Sequence, residues 1–248
     1  MKALVFAAGL GTRLRPITDN MPKALVPVAG VPMLERVIGK LASSGIDSFV
    51  VNAHHFAGQI EDFLKEKGNW GLPITVSLEE AQPLETGGGI RHAAPLLESP
   101  EGRFLVHNAD ILSAVDIGWF LSQDSPLTLA TLLVRETPSD RYLLFDDEVR
   151  LAGWTNVKTG EVKSPFLPDF DPERYHKYSF CGIHILSNQV FGLMASWPEK
   201  FSVIDFYLAM AASHTIRGVV APANTAFVDI GSIEGLREAE SLVTFAHL

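Results

Sequence analysis

The stretch Lys2-Ala3-Leu4-Val5-Phe6-Ala7-Ala8-Gly9-Leu10-Gly11-Thr12-Arg13-Leu14-Arg15-Pro16, closed by Pro22-Lys23, decides how the rest of the chain is read. Lys2–Phe6 is an apolar run of strand length. It breaks off into a glycine-rich loop with two arginines, followed by a lysine. Glycines let a backbone approach a phosphate and turn its N–H groups toward the anion. Arginine and lysine add fixed positive charge. A loop of this kind after a first strand is where open α/β sheets hold their ligands. Two familiar glycine loops are excluded. Leu14 stands where a dinucleotide loop needs its third glycine, and Lys23 has no Walker-type glycine before it.

The chain has 248 residues, enough for one large α/β domain or two small ones. A hydrophobic share of 47% supports a sizeable core without staples. No apolar run reaches the ~18 residues of a membrane span, and the amino terminus lacks a secretory pattern. The single cysteine, Cys181, sits in a strand-like run and reads as a buried inert thiol. One cysteine rules out a disulfide framework and fits a reducing, cytoplasmic compartment. A net charge of −9 argues against a nucleic-acid partner. Yet Lys2, Arg13, Arg15 and Lys23 face Asp19 alone over residues 1–23. Focused positive charge in an acidic protein suits a small anionic substrate.

Working outward, strand-like runs alternate with helical ones, which predicts an α/β sheet protein. Pro32–Ser44 reads as a helix with Met33, Leu34, Val37, Ile38 and Leu41 on one face and Gly45 as its stop. Ser48–Asn52 and Ile74–Leu78 read as strands, with a helix near Ala57–Lys67 between them. Thr86–Leu97 reads as a helix with Thr86 as N-cap and Pro95 disturbing its end. Arg103–His107, Leu127–Val134 and Tyr178–Leu186 read as strands, and Tyr142–Phe145 with Val149–Gly153 as a hairpin. Asn156–Tyr175, rich in Pro, Asp and Lys, reads as an irregular insertion. Ser202–Ala212 is a helix with a near capping box. Ile216–Val220 and Ala226–Ile230 are strands, and Ser232 caps a last helix. No internal repeat or linker is visible, so residues 1–248 read as one domain with no β-helix repeat after it.

Ala8–Thr18 follows the pattern A-G-x-G-T-R-L-x-P-x-T, and Pro22–Val28 follows P-K-x-L-x-P-V. The chain thereby resembles the sugar-1-phosphate nucleotidyltransferases. Three further stretches extend the resemblance over the whole chain. Asp110 ends His107-Asn108-Ala109-Asp110 after a strand, where a carboxylate points into the ligand crevice; Ala109 replaces the family's usual glycine. Phe227-Val228-Asp229-Ile230-Gly231-Ser232 resembles the family's late aromatic-x-D-[IV]-G-[ST] element. Pro83-Leu84-Glu85-Thr86-Gly87-Gly88-Gly89-Ile90 is most like the N-acetylmuramate-1-phosphate uridylyltransferases within the family.

The resemblance implies a Rossmann-like, doubly wound, mostly parallel sheet with a small β excursion over the sugar site. It implies transfer of a nucleotidyl group from a nucleoside triphosphate to a sugar 1-phosphate, giving nucleotide sugar and pyrophosphate. UTP with N-acetylmuramate 1-phosphate is the first expectation. Mannose- or heptose-1-phosphate guanylyltransfer and a phosphocholine-type cytidylyltransfer stay open. A silent nucleotide-sugar sensor is disfavoured by the intact set of charged residues. By the same resemblance, Arg13 and Lys23 are the catalytic cations, and Asp110 and Asp229 hold Mg²⁺. Ala7, Ala8, Gly9, Gly11, Thr12, Gln82, Glu85, Gly87 and Gly88 bind the nucleotide. Asn108 and Gly182 contact the sugar. The family's Glu-Lys-Pro element is missing, Val162-Lys163-Ser164-Pro165 being at best a remnant. Membrane and nucleic acid are not expected as partners, and the chain is expected to be a monomer or a small homo-oligomer.

Overall fold

The computed structural model describes residues 1–246. Strand β1 (Lys2–Phe6) alternates its side chains between two hydrophobic layers: Ala3 and Val5 join one, Leu4 the other. This is the period-2 geometry of a strand covered on both faces. After the charged loop comes a two-strand ribbon, β2 (Pro27–Val28) with β3 (Val31–Pro32). It leads into α1 (Met33–Ser43), which buries Met33, Leu34, Val37, Ile38 and Leu41 on one stripe. Each such side chain contributes about 1.5–3 kcal/mol relative to exposure. Gly45 N–H bonds to Ala42 O and Ile46 N–H to Leu41 O, a Schellman closure of the helix.

Strand β4 (Ser48–Ala53), helix α2 (Ala57–Glu66) and strand β5 (Ile74–Leu78) follow. Then come α3 (Glu85–His92), α4 (Ala94–Leu97) and β6 (Arg103–Asn108). Thr86 is not the cap of α3. The helix begins one residue earlier, with Leu84 before it, and Thr86 Oγ1 accepts the backbone N–H of Val203 at 3.0 Å. The hydroxyl is claimed by a distant segment instead of its own helix. Pro95 does break the run, at the joint between α3 and α4.

Strand β7 (Ile111–Ser113) and helix α5 (Ile117–Ser122) precede β8 (Ala130–Arg135). This strand starts later than Leu127, which is 88% exposed in the preceding turn. The hairpin β9 (Arg141–Phe145) and β10 (Leu151–Asn156) forms as expected. The segment expected to be irregular contributes a short strand, β11 (Glu161–Lys163), paired to β10. Strand β12 (His176–Ser187) leads to α6 (Gln189–Met194) and α7 (Val203–Met210), whose Ser202 cap accepts Ile204 N–H at 3.2 Å. The chain ends through β13 (Ile216–Val220), β14 (Phe227–Asp229) and α8 (Ile233–Ala246).

The central sheet runs β5-β4-β1-β6-β12-β8-β13. All its strands point the same way except β12, which is antiparallel to both neighbours. The antiparallel excursion β9-β10-β11 hangs from the first residues of β12. Residues of α1, α2, α5 and α8 line one face and residues of α3, α4, α6 and α7 the other. The fold is thus a mixed, mostly parallel sheet wound with helices on both sides. Its carboxyl edge gathers the ends of β1, β4, β6 and β8, where such sheets bind ligands.

Candidate active site

The loop after β1 is shaped by one buried anchor and one tight turn. Leu14 is fully buried, while Arg13 and Arg15 stay exposed. Gly11 has φ +63°, a left-handed conformation suited to glycine, and its carbonyl accepts Thr18 Oγ1 at 2.7 Å. A Cβ at Gly11 would lie 2.9 Å from the Thr18 methyl group and 3.2 Å from Lys23 Cβ. The loop is therefore folded back onto the Lys23 turn.

Lys23 is the centre of the site. Its side chain is only 11% exposed; Nζ pairs with Asp110 Oδ2 and lies 3.5 Å from Asp229 Oδ1. Arg13 Nη2 is 4.0 Å from Asp229 Oδ2. Asp110 arrives from the end of β6 and Asp229 from the end of β14, and the two segments are stitched by Ile230 N–H to Asp110 O at 3.0 Å. Asp229 Oδ1 also accepts Gly231 N–H at 2.6 Å. A Cβ on Gly231 would fall 2.6 Å from Arg13 Nη2, 2.7 Å from Asp229 Oδ1 and 2.9 Å from Lys23 Nζ. Gly231 therefore leaves the space in which the two cations and the carboxylate meet.

Beside this cluster opens a cavity of about 370 Å³, lined on one side by Phe6, Ala8, Gly9 and Leu10, and on the other by Pro83, Glu85 and Thr86. Asn108 and Asp110 border it toward the ion cluster, and Lys200 borders it from the segment before α7. Ala7 lies in a small adjoining recess with Lys23 and Asp110. Asn52 and Glu79, which the sequence did not single out, also line the main cavity. Glu79 is 2% exposed and forms no ion pair among the described residues. Its Oε1 accepts Asn52 Nδ2 at 2.7 Å and its Oε2 accepts Leu84 N–H at 2.8 Å. His54 Nδ1 donates to the Glu79 carbonyl oxygen at 2.6 Å. A buried carboxylate thus ties the ends of β4 and β5 to the turn that starts α3.

The triglycine is used differently from the expectation. Gly87 and Gly88 are buried, and their N–H groups both donate to Phe201 O, at 2.9 and 3.3 Å. A Cβ at Gly87 would lie 2.3 Å from the Phe201 ring, and one at Gly88 2.4 Å from Glu199 O. These glycines admit the 199–201 segment, and their N–H groups are not turned into the cavity. Gln82 and Thr12 are exposed and lie outside the cavity lining. Glu85 does face the cavity, from a backbone with φ +62°.

On the other side of Asp110, β12 bulges between Phe180 and His184, where its register with β8 shifts. Gly182 sits in the bulge with φ +68°, and a Cβ there would lie 2.6 Å from Asn108 Nδ2. The structure thus brings Asn108 and Gly182 together as neighbours. Lys163 pairs with Asp205 at 3.1 Å and is taken up by that contact. Behind the site, burial holds His107 down to about 4 and His184 down to about 3. Burial also pushes the Cys181 thiol up to about 12, an unreactive group as expected from the sequence.

A pair of carboxylates and two cations at a sheet's carboxyl edge, beside a cavity bounded by a glycine loop, is machinery for binding and displacing phosphates. Comparison with known proteins agrees. The nucleotidyl transferase family matches residues 2–142. An N-acetylmuramate alpha-1-phosphate uridylyltransferase of Caulobacter vibrioides is 46% identical over 233 residues, covering 88% of this chain and 87% of that protein. A protein of the same description from Neisseria meningitidis serogroup B is 43% identical over 116 residues, 47% of this chain and 49% of its own. Among solved structures, a putative glucose-1-phosphate thymidylyltransferase from Bacillus anthracis superposes with TM-score 0.79 at 18% identity, covering 99% of this chain and 96% of that one. At that identity the likeness speaks for the fold alone. The chain belongs to the nucleotidyl transferase family, among its sugar-1-phosphate nucleotidyltransferases.

Proposed function

We propose that this chain joins UTP and N-acetylmuramate 1-phosphate into the nucleotide sugar, with release of pyrophosphate. The observation that carries the reading is the Lys23 ammonium held between Asp110 and Asp229, beside the cavity that Asp110 borders. The high identity to uridylyltransferases of N-acetylmuramate supports the substrate pair. In the reaction, an oxygen of the sugar phosphate forms a bond to the α-phosphorus. The bond from that phosphorus to the bridging oxygen breaks, and pyrophosphate leaves with the electron pair. The attacking oxygen is already anionic, so no strong base is required. The barrier lies in bringing two polyanions together and in the charge that develops on the phosphates.

Lys23, nearly enclosed, is placed to contact the α-phosphate and the sugar phosphate. Arg13, exposed at the loop, is placed to receive the departing β- and γ-phosphates. The nucleotide occupies the cavity between Ala8–Leu10 and Pro83–Thr86, with Ala7 behind it and Gly11 and Thr12 shaping the loop. Asn108 and Gly182 border the sugar. The excursion β9-β11 stands on that side of the sheet.

The family generally works with a divalent cation. Asp110 and Asp229 fit this need, because both carboxylates already converge on one positive charge. Two carboxylates plus substrate phosphates is the donor set Mg²⁺ accepts. Held there, the ion supplies charge neutralisation for the phosphates. A cytoplasmic location, as a monomer or small homo-oligomer, belongs to the same reading. No helix among the described residues is long and apolar enough to cross a membrane.

The test is pyrophosphate release from purified protein with Mg²⁺, each common nucleoside triphosphate, and a panel of sugar 1-phosphates. Release that is fastest with UTP and N-acetylmuramate 1-phosphate is expected. Release fastest with GTP and a mannose or heptose 1-phosphate overturns the substrate assignment.

A further inference from the structure

N-acetylmuramate differs from the common neutral sugars by a lactyl ether that ends in a carboxylate. A site for it needs a cation beyond those serving the phosphates, on the sugar side of Asp110. The order of the sheet says where to look. Moving from the nucleotide cavity, the carboxyl edge passes β4 and β1, then β6 with Asn108 and Asp110, then β12 with Gly182, then β8. The last residue of β8 is Arg135, paired across β12 with Ser179.

Arg135 is held as a fixed, uncommitted cation. Its Nε donates to Thr137 Oγ1 at 2.9 Å and its Nη1 to Phe227 O at 3.3 Å. The guanidinium stacks over the Phe227 ring, 4.8 Å from its centroid. All these partners are neutral, and Arg135 makes no ion pair among the described residues. Glu136 and Glu238 line the same cavity of about 630 Å³ without pairing to it. Phe227 and Asp229 are two residues apart on β14 and so point to the same face of that strand. Arg135 therefore stands against β14 at Phe227, on the face of that strand that carries Asp229 two residues further on.

Building on the substrate reading above, we propose that Arg135 binds the lactyl carboxylate of the sugar substrate. It is a specificity-determining residue, and it separates acidic sugar 1-phosphates from neutral ones. A planar guanidinium pre-set by Thr137 and Phe227 presents its remaining N–H groups to a carboxylate at low entropic cost. Its hydrogen-bonding and stacking partners are neutral, so no internal ion pair must be broken first.

The experiment compares kcat/KM for N-acetylmuramate 1-phosphate and N-acetylglucosamine 1-phosphate, which lacks the lactyl ether, at saturating UTP and Mg²⁺. Wild type, Arg135→Gln and Arg135→Lys are measured. In Arg135→Gln the preference for the acidic sugar is expected to fall about thirtyfold, the size of a lost charged hydrogen bond, and mostly through KM. Arg135→Lys is expected to restore part of it. A loss of equal factor for both sugars, or no change in the ratio, overturns the proposal and makes Arg135 a brace for β14. A melting temperature matched to wild type shows that a folded protein is being read; if Arg135→Gln does not fold, Arg135→Lys carries the comparison. A wild type that prefers a neutral sugar phosphate overturns the substrate reading itself, before any variant is made.

Discussion

Lys23 Nζ and Asp229 Oδ1 approach to 3.5 Å, joining the first loop of the chain to its last strand. Asp110 touches the same ammonium, so one lysine bridges two carboxylates that would otherwise repel. Replacing Lys23 by Ala should lower turnover about a hundredfold or more, as loss of a transition-state cation does. The same variant leaves the two aspartates without their shared cation. Added Mg²⁺ should then raise its melting temperature more than that of wild type, by preferential binding to the folded form. An equal thermal shift in both proteins would show that Asp110 and Asp229 do not form the divalent-cation site.

Two glycines should respond in opposite ways to the same substitution. Gly87→Ala drives a methyl into the Phe201 ring, at 2.3 Å. Overpacking of this kind costs about 1–3 kcal/mol and should appear as a melting temperature several degrees lower. Gly231→Ala places its methyl among Arg13, Asp229 and Lys23. Long side chains can retreat from it, so stability should change little while kcat falls. Thermal melts and steady-state rates on both variants check the contrast.

Glu79→Gln keeps the shape of the buried carboxylate and removes its capacity to accept from both Asn52 Nδ2 and Leu84 N–H. The new amide nitrogen either faces Leu84 N–H, which is then unpaired at a cost of about 1–3 kcal/mol, or makes Asn52 turn its unpartnered Oδ1 toward it and gives up the bond from Asn52 Nδ2. The turn that starts α3 should loosen, and KM for the nucleotide should rise several-fold with a smaller effect on kcat. An unchanged nucleotide KM would show that this tie does not shape the cavity.

Acid should unfold the protein earlier than carboxylate protonation alone predicts. His107 and His184 are buried, with values near 4 and 3 against an ordinary 6.5. Above about pH 7.5 both are neutral in either state, and their contribution to stability is at its plateau. Below it the unfolded chain takes up protons that the folded protein refuses. Each histidine therefore removes about 1.4 kcal/mol per pH unit until its folded value is reached. Urea melts from pH 7 to pH 5 should show this slope, and His107→Gln should make it shallower.

Legibility in the sequence followed how local each signal was. The β1 loop, Lys23, Asp110 and Asp229 were readable because their motifs are contiguous, and the loop and both aspartates sit at strand ends. Helix α1 and the long β12 were readable from periodicity. Glu79 and Asn52 were not, because their pairing depends on β4 and β5 lying side by side, which no local pattern states. Thr86 misled for a related reason: a threonine before glycines has the signature of a cap, and only the approach of Val203 shows who uses its hydroxyl. Leu127 misled by being apolar on the surface, where a single exposed leucine is ordinary.

The contact of Gly87 and Gly88 with residues 199–201 reaches past the limits of the family match, which covers residues 2–142. The part matched by the family carries the β1 loop and the turn that starts α3, yet that turn rests on carbonyl groups of residues beyond it. A fragment cut at residue 142 would keep the β1 loop, Lys23 and Asp110, and would lose both Asp229 and the segment beneath one wall of the cavity. Grafting the signature alone onto another sheet would transfer the charges without the socket.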